Sequence, residues 1–300
     1  MQLRYSLMVL GGGICYGFLS TITKFAYQAG FTGKEVTGSQ ALLGALFLWV
    51  VLFLIQRGRI QVTSRSAMQL LLAGTTMGSV WIFYYYALEE LPASIAVVLL
   101  FQFTWIGVIL EAIVERRFPS REKWLALTFI MVGTVLAANL TGASFHQLTI
   151  KGVIYGLISA VSYAFFIFFS GRVAIGVPSL LRSTLMVTGG ALLVQIVNPP
   201  TYLLNGHFVN GLWSYSISIA LIGAVLSTLL FVIGTPHIGG GLATILGSAE
   251  MPSVLIVSHL FLHETVTSMQ WLGTLLILCA IALPELKQLW RSAAHFSVSR

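Results

Sequence analysis

Stretches of about twenty apolar residues follow one another along nearly the whole chain, and most of the charge sits in the short gaps between them. At 1.5 Å per helical residue, each stretch matches a bilayer hydrocarbon core roughly 30 Å thick. Surface chemistry excludes a soluble fold. Of 300 residues, 57% are hydrophobic and only 8% charged, Asp is absent, and the mean hydropathy is +0.91. A soluble domain needs roughly a quarter of its residues charged, so lipid has to be the main solvent. The 29 glycines fit this reading, because small residues let helices approach closely in a bilayer.

Ten spans are expected near residues 7–27, 36–55, 66–88, 93–114, 123–142, 150–170, 180–198, 212–233, 239–262 and 267–284. The fold class is therefore an all-α integral membrane protein. Arg4 precedes an apolar run with no small-x-small cleavage site, which reads as a retained first span. The net charge of +7 is no nucleic-acid footprint, because the basic residues lie between apolar runs instead of on one face. With the N-terminus inside, cytoplasmic segments carry Arg4, Arg57, Arg59, Arg65, Arg116, Arg117, Arg121, Lys123, Arg172, Arg182, Lys287, Arg291 and Arg300. The other side has Lys24, Lys34 and Lys151. This asymmetry places both termini in the cytoplasm, with the protein in the cell (inner) membrane. Cys15 and Cys279 fall inside apolar runs and suggest neither a disulfide framework nor a thiolate metal site.

The chain also repeats itself. Gly13, Tyr16, Gly17 and Ser20 read G-x-x-Y-G-x-x-S, and Gly152, Tyr155, Gly156 and Ser159 restate the pattern. Gly74 then pairs with Gly223 and Glu115 with Glu264, in the same order. A duplicated five-span unit follows, with halves at 1–143 and 144–300. Five is odd, so the second half is expected to enter the membrane inverted.

On these residues the chain resembles the drug/metabolite transporter (DMT) superfamily, specifically the ten-span EamA-type carriers, over essentially its whole length. Further matches are Lys24 beyond Tyr16-Gly17, Tyr86-Ala87-Leu88 leading through Pro92-Ala93-Ser94, Glu115-Arg116, and Glu250-x-Pro252 ahead of Glu264. Arg182 in span 7 also matches, whereas Gln40 stands where the family often has Arg. The resemblance implies a secondary transporter with alternating access and an exporter of amino acids or related amines. It also implies a substrate or gating role for Lys24.

Glu250 is the sharpest candidate for site chemistry. Eleven helical residues beyond Gly239 put it roughly 16 Å deep, near the midplane. A carboxylate there costs about 2.5 kcal/mol or more, so it must face a cavity, be paired, or be protonated. Pro252 cannot donate to the Ser248 carbonyl, and an acid beside a free carbonyl suits an ammonium group or a proton. The alternative is a protonated acid bonded to a neighbouring helix. The repeat aligns Glu250 with Phe101, and the adjacent Gln102 is placed either to read a substrate or to stitch helices together. Trp81 and Tyr85 share a face at i, i+4, as do Tyr155, Ser159 and Tyr163 along span 6, giving rings that stack on a substrate or pack against lipid and protein. The substrate-binding set is then Glu250, Trp81, Tyr85, Phe101, Gln102, Tyr163, Ser248, Tyr16 and Tyr155, with Lys24 and Pro252 in gating or coupling. Spans 1, 3, 4, 6, 8 and 9 are expected around the cavity, and spans 5 and 10 outside it.

The expected partners are a small-molecule substrate, the lipid bilayer and protons as coupling ion, without nucleic acid. No cofactor is expected: there is no phosphate-binding G-x-x-x-x-G-K-[ST] loop, and His259 with His263 lacks the H-E-x-x-H order of a zinc helix. A membrane-embedded enzyme would need nucleophile, base or ligands gathered at one depth, and the acids and histidines here are scattered. A channel would show an oligomeric ring of pore-lining groups in place of an inverted repeat with one central acid. A membrane receptor is the remaining alternative.

Overall fold

A computed structural model describes residues 2–56, 62–91, 93–139, 148–262 and 265–298. Arg57, Arg59, Pro92, His263, Glu264 and Arg300 lie outside the described residues. Every regular element among those described is helical. They are α1 (Gln2–Gln28), α2 (Gly33–Gln56), α3 (Ser64–Glu90), α4 (Ala93–Leu100), α5 (Phe103–Glu115), α6 (Arg121–Ala137), α7 (Ile150–Arg172) and α8 (Ser179–Val197). Beyond these come α9 (Trp213–Ile219), α10 (Thr228–Ile238), α11 (Gly240–Gly247), α12 (Glu250–Leu262) and α13 (Ser268–Val298). π-helical turns at Phe208–Leu212 and Ala220–Ser227 flank α9, so that Phe208–Ile238 forms one kinked rod. Eight of the ten rods are long and apolar enough to cross a membrane; the others are the 17-residue α6 and α13, whose apolar part is Ser268–Leu283.

Two expected spans prove to be broken. Span 4 divides into α4 and α5 at Phe101–Gln102, and span 9 into α11 and α12 at Ser248–Ala249. Both breaks close with i→i−3 bonds: Gln102 N to Leu99 O at 3.1 Å, Thr104 N to Phe101 O at 3.2 Å, Ser248 N to Ile245 O at 3.2 Å and Met251 N to Ser248 O at 3.2 Å. Pro252 favours the second, because a proline is best accommodated in the first turn of a helix, where its missing N–H is not needed.

Glycines set the packing, and they set it in pairs. Gly13 of α1 lies against the Gly247 carbonyl and Gly17 against that of Glu250, so span 1 meets span 9. Of the matching glycines of α7, Gly152 lies against Leu91 at the end of α3 and Gly156 against Leu99 of α4, so span 6 meets span 4. In the same way Gly44 of α2 faces Ala224, while Gly189 of α8 faces the Leu71 carbonyl and Gly74 of α3 the Met186 carbonyl. Gly133 of α6 and Gly273 of α13 face each other.

Where the facing atom is a backbone carbonyl, a methyl group cannot be accommodated by a side-chain rotation. Gly74→Ala and Gly189→Ala should each cost about 3 kcal/mol, at the upper end of the overpacking range. The check is a lowered melting temperature of purified protein in detergent; wild-type melting of both variants would mean that α3 and α8 can separate freely.

Candidate functional site

Between the rods lies a cavity of about 580 Å³. Its walls come from α1, α3, α4, α7 and α12, with single residues added by α2 (Gln40), the end of α6 (Ala138) and α13 (Gln270). The expected division of spans is therefore corrected in two respects: span 8 lines none of it, and spans 2, 5 and 10 each contribute one residue. Gly11 and Gly12 let α1 press against that rod, where Ser227 Oγ donates to Gly12 O at 2.8 Å and Phe231 packs behind Tyr16 with ring centroids 6.1 Å apart. Span 8 is thus screened from the cavity by span 1.

Glu250 opens the second half of the broken span 9 and faces this space. Tyr163 Oη donates to Glu250 Oε2 at 3.4 Å. The Tyr163 ring is fixed by Phe103 at 4.3 Å and, edge-on, by Tyr16 at 6.0 Å. Trp81 and Tyr84 line the wall contributed by α3. An acid, a hydroxyl aimed at it and several ring faces can hold an organic cation through charge, hydrogen bonding and ring quadrupoles. Inward of Glu250 the lining residue Phe166 is fully buried, and the equally buried Phe103 and Phe231 pack behind Tyr163, Tyr16 and Phe166. In the other direction it reaches the exposed Lys24 and Tyr27. Tyr27 hydrogen-bonds Tyr85 across that mouth, linking α1 to α3.

Of the sequence-read site residues, the cavity thus brings together Glu250, Tyr16, Lys24, Trp81, Tyr85 and Tyr163. Five lie elsewhere. Phe101 is 2% exposed and packs on Phe103. Gln102 stitches its own break, donating to Val98 O at 2.8 Å and accepting from Trp105 Nε1 at 2.8 Å. Tyr155 packs on Tyr86 at 5.5 Å beneath the Lys151 ammonium. Ser248 is buried, with its hydroxyl donating to Ile245 O at 2.6 Å. Pro252 shapes the break, but the Ser248 carbonyl it releases is taken by Met251 N; the expected free acceptor beside the acid does not exist.

Two features escaped the sequence reading. Gln40 lines the cavity. Arg182, 2% exposed, gathers three backbone carbonyls, donating to Val173 O at 3.2 Å, Val232 O at 3.2 Å and Ser170 O. The signal for the second was Pro236, which has no N–H to offer the Val232 carbonyl. At the same end Lys123 pairs with the buried Glu111, which lies against Gly239 and Gly241. Gly239 has φ +85, a conformation in which glycine alone avoids strain, and a side chain there would also strike Glu111.

The sequence profile of the EamA-like transporter family matches residues 3–139 and again residues 150–284. The chain belongs to the EamA-like transporter family. Among its relatives, an uncharacterized inner membrane transporter of Salmonella typhimurium, YicL, is 30% identical over 69% of each chain. An uncharacterized transporter of Synechocystis is 25% identical over 92% of each. A solved protein structure shares the fold, with a TM-score of 0.78 at 14% identity, covering 95% of this chain and 98% of its own. The transporter is an integral membrane protein.

Proposed function

We propose that this transporter is a secondary carrier that exchanges protons for small ammonium-bearing metabolites, amino acids or related amines, and exports them by alternating access. Glu250 at the closed end of an aromatic-walled cavity is the observation that carries the reading. An acid in that position accepts either an ammonium group or a proton, and the two exclude one another by linkage. Space that reaches one end of the molecule and stops at packed core on the other suits alternating access better than a continuous channel pore.

The halves 1–143 and 144–300 act as two inverted five-helix repeats. The family match in each half, the breaks in spans 4 and 9, and the paired glycine contacts 1–9 with 6–4 and 2–8 with 7–3 support this. The charge asymmetry supports cytoplasmic termini in the cell membrane, which turns the Lys24 mouth outward; reporter fusions placing the C-terminus outside would overturn that orientation.

Purified protein in liposomes, offered labelled amino acids and amines with and without a proton gradient, tests the function. Saturable flux of an ammonium-bearing solute that responds to the gradient is the expected result. Transport confined to anions or uncharged solutes, or flux without saturation, would defeat it.

A further inference from the structure

Four glutamines help build the interior between the helices, and three of them are satisfied at both ends of the amide. Gln102 bonds Val98 O and Trp105 Nε1, Gln195 bonds Gly38 O and Tyr202 Oη, and Gln270 bonds Ala137 O and Thr267 N. Gln40 differs. It is 7% exposed, it lines the cavity, and among the described residues its amide has no hydrogen-bond partner. Gln40 lines the space a substrate would fill, so a ligand group there can take up the unused hydrogen-bonding capacity of the amide.

The position of Gln40 along the helices says which part of a substrate it meets. α1 and α2 form an antiparallel hairpin across residues 29–32. Counted from the hairpin end, Lys24 lies about 6 Å deep, Gln40 about 10 Å and Tyr16 about 18 Å. Tyr16 marks the level of Tyr163 and hence of Glu250. Side chains lean towards the N-terminus of their own helix, so Lys24 leans inward and Gln40 outward, and the two converge. The gap between the Gln40 and Tyr16 levels, about 8 Å along the helices and wider between the side chains, leaves room for an α-amino acid whose ammonium and carboxylate lie about 3 Å apart, with a hydrogen bond of about 2.8 Å at each end.

We infer that Gln40 is a specificity-determining residue of the transport site, whose amide N–H donates to the carboxylate of a substrate whose ammonium is held at Glu250. The inference rests on the reading of Glu250 as the ammonium site. It makes the substrate class α-amino acids in preference to the corresponding monoamines, because a group built to bond the carboxylate stays unpaired when the ligand lacks one.

Equilibrium binding of labelled L-phenylalanine and phenethylamine to the full chain in nanodiscs tests this. The wild type should bind both, the amino acid about tenfold more tightly. Gln40→Leu should weaken L-phenylalanine about tenfold and leave phenethylamine unchanged. Gln40→Glu keeps the shape and covers the case in which the leucine variant misfolds; it should weaken L-phenylalanine and strengthen phenethylamine. Equal effects on both probes, or none on either, in variants that fold would overturn the role of Gln40 while leaving Glu250 intact. Failure of the wild type to bind either probe would overturn the ammonium reading and this inference together.

Discussion

Glu250→Gln should reduce transport about a hundredfold while the protein still inserts and folds. The substitution keeps the shape of the side chain and can still accept from Tyr163, whose hydroxyl lies 3.4 Å from Glu250 Oε2, but it removes the charge. A hydrogen bond to a charged group contributes roughly 1.5–3 kcal/mol, and about 2.7 kcal/mol corresponds to the factor of one hundred. Stability should stay level or rise, because an ionisable group at membrane depth is itself costly. The wild type carries a pH signature as well. Acidification neutralises the carboxylate and removes its attraction for an ammonium, so substrate binding should weaken as pH falls. In Glu250→Gln, binding should be weak at every pH. Near-normal flux in the variant, with the wild-type pH dependence retained, would show that Glu250 is structural and that recognition belongs to Trp81, Tyr163 and their neighbours.

Arg182→Ala should fail on stability instead of on transport chemistry. The guanidinium bonds the carbonyls of Ser170, Val173 and Val232 where α7, α8 and α10 meet. Ser170 is among the last four residues of α7, whose carbonyls lack an intrahelical partner. Val232 is denied its usual donor by Pro236. Each carbonyl stranded in a dry interior costs roughly 1–3 kcal/mol, so truncation should lower stability by at least about 3 kcal/mol even after relief of the buried charge. Poor membrane accumulation and a lower melting temperature in detergent are the readouts. Arg182→Lys should recover only part of the loss, since an ammonium lacks the planar fork that spans several acceptors at once. If Arg182→Ala melts with the wild type, the carbonyl cluster is not what holds these helices, and the charge has to act in the transport cycle.

The helical rods, their approximate ends and the presence of an acid inside the ninth apolar run were legible in the linear sequence, because a bilayer imposes its thickness on apolar run length and its cost on every charge within a run. The repeated G-x-x-Y-G-x-x-S was legible as a duplication, whereas the close helix contacts that its glycines make belong to the fold. What surrounds Glu250 was not local. Tyr163, Tyr16 and Gln40 come from three other spans, and Gln102, one position from the acid's counterpart in the repeat, turned out to bond its own helix at the break. Nothing in the run of residues distinguishes a glutamine that satisfies itself within one turn from a glutamine that finds no partner among the described residues. Likewise Pro252 could be read as releasing the Ser248 carbonyl, but only the tightened turn at the break gives that carbonyl to Met251 N. Apolar length and intramembrane charge are properties of single segments and survive in one dimension; hydrogen-bond satisfaction depends on which segments meet, and tertiary packing alone decides that.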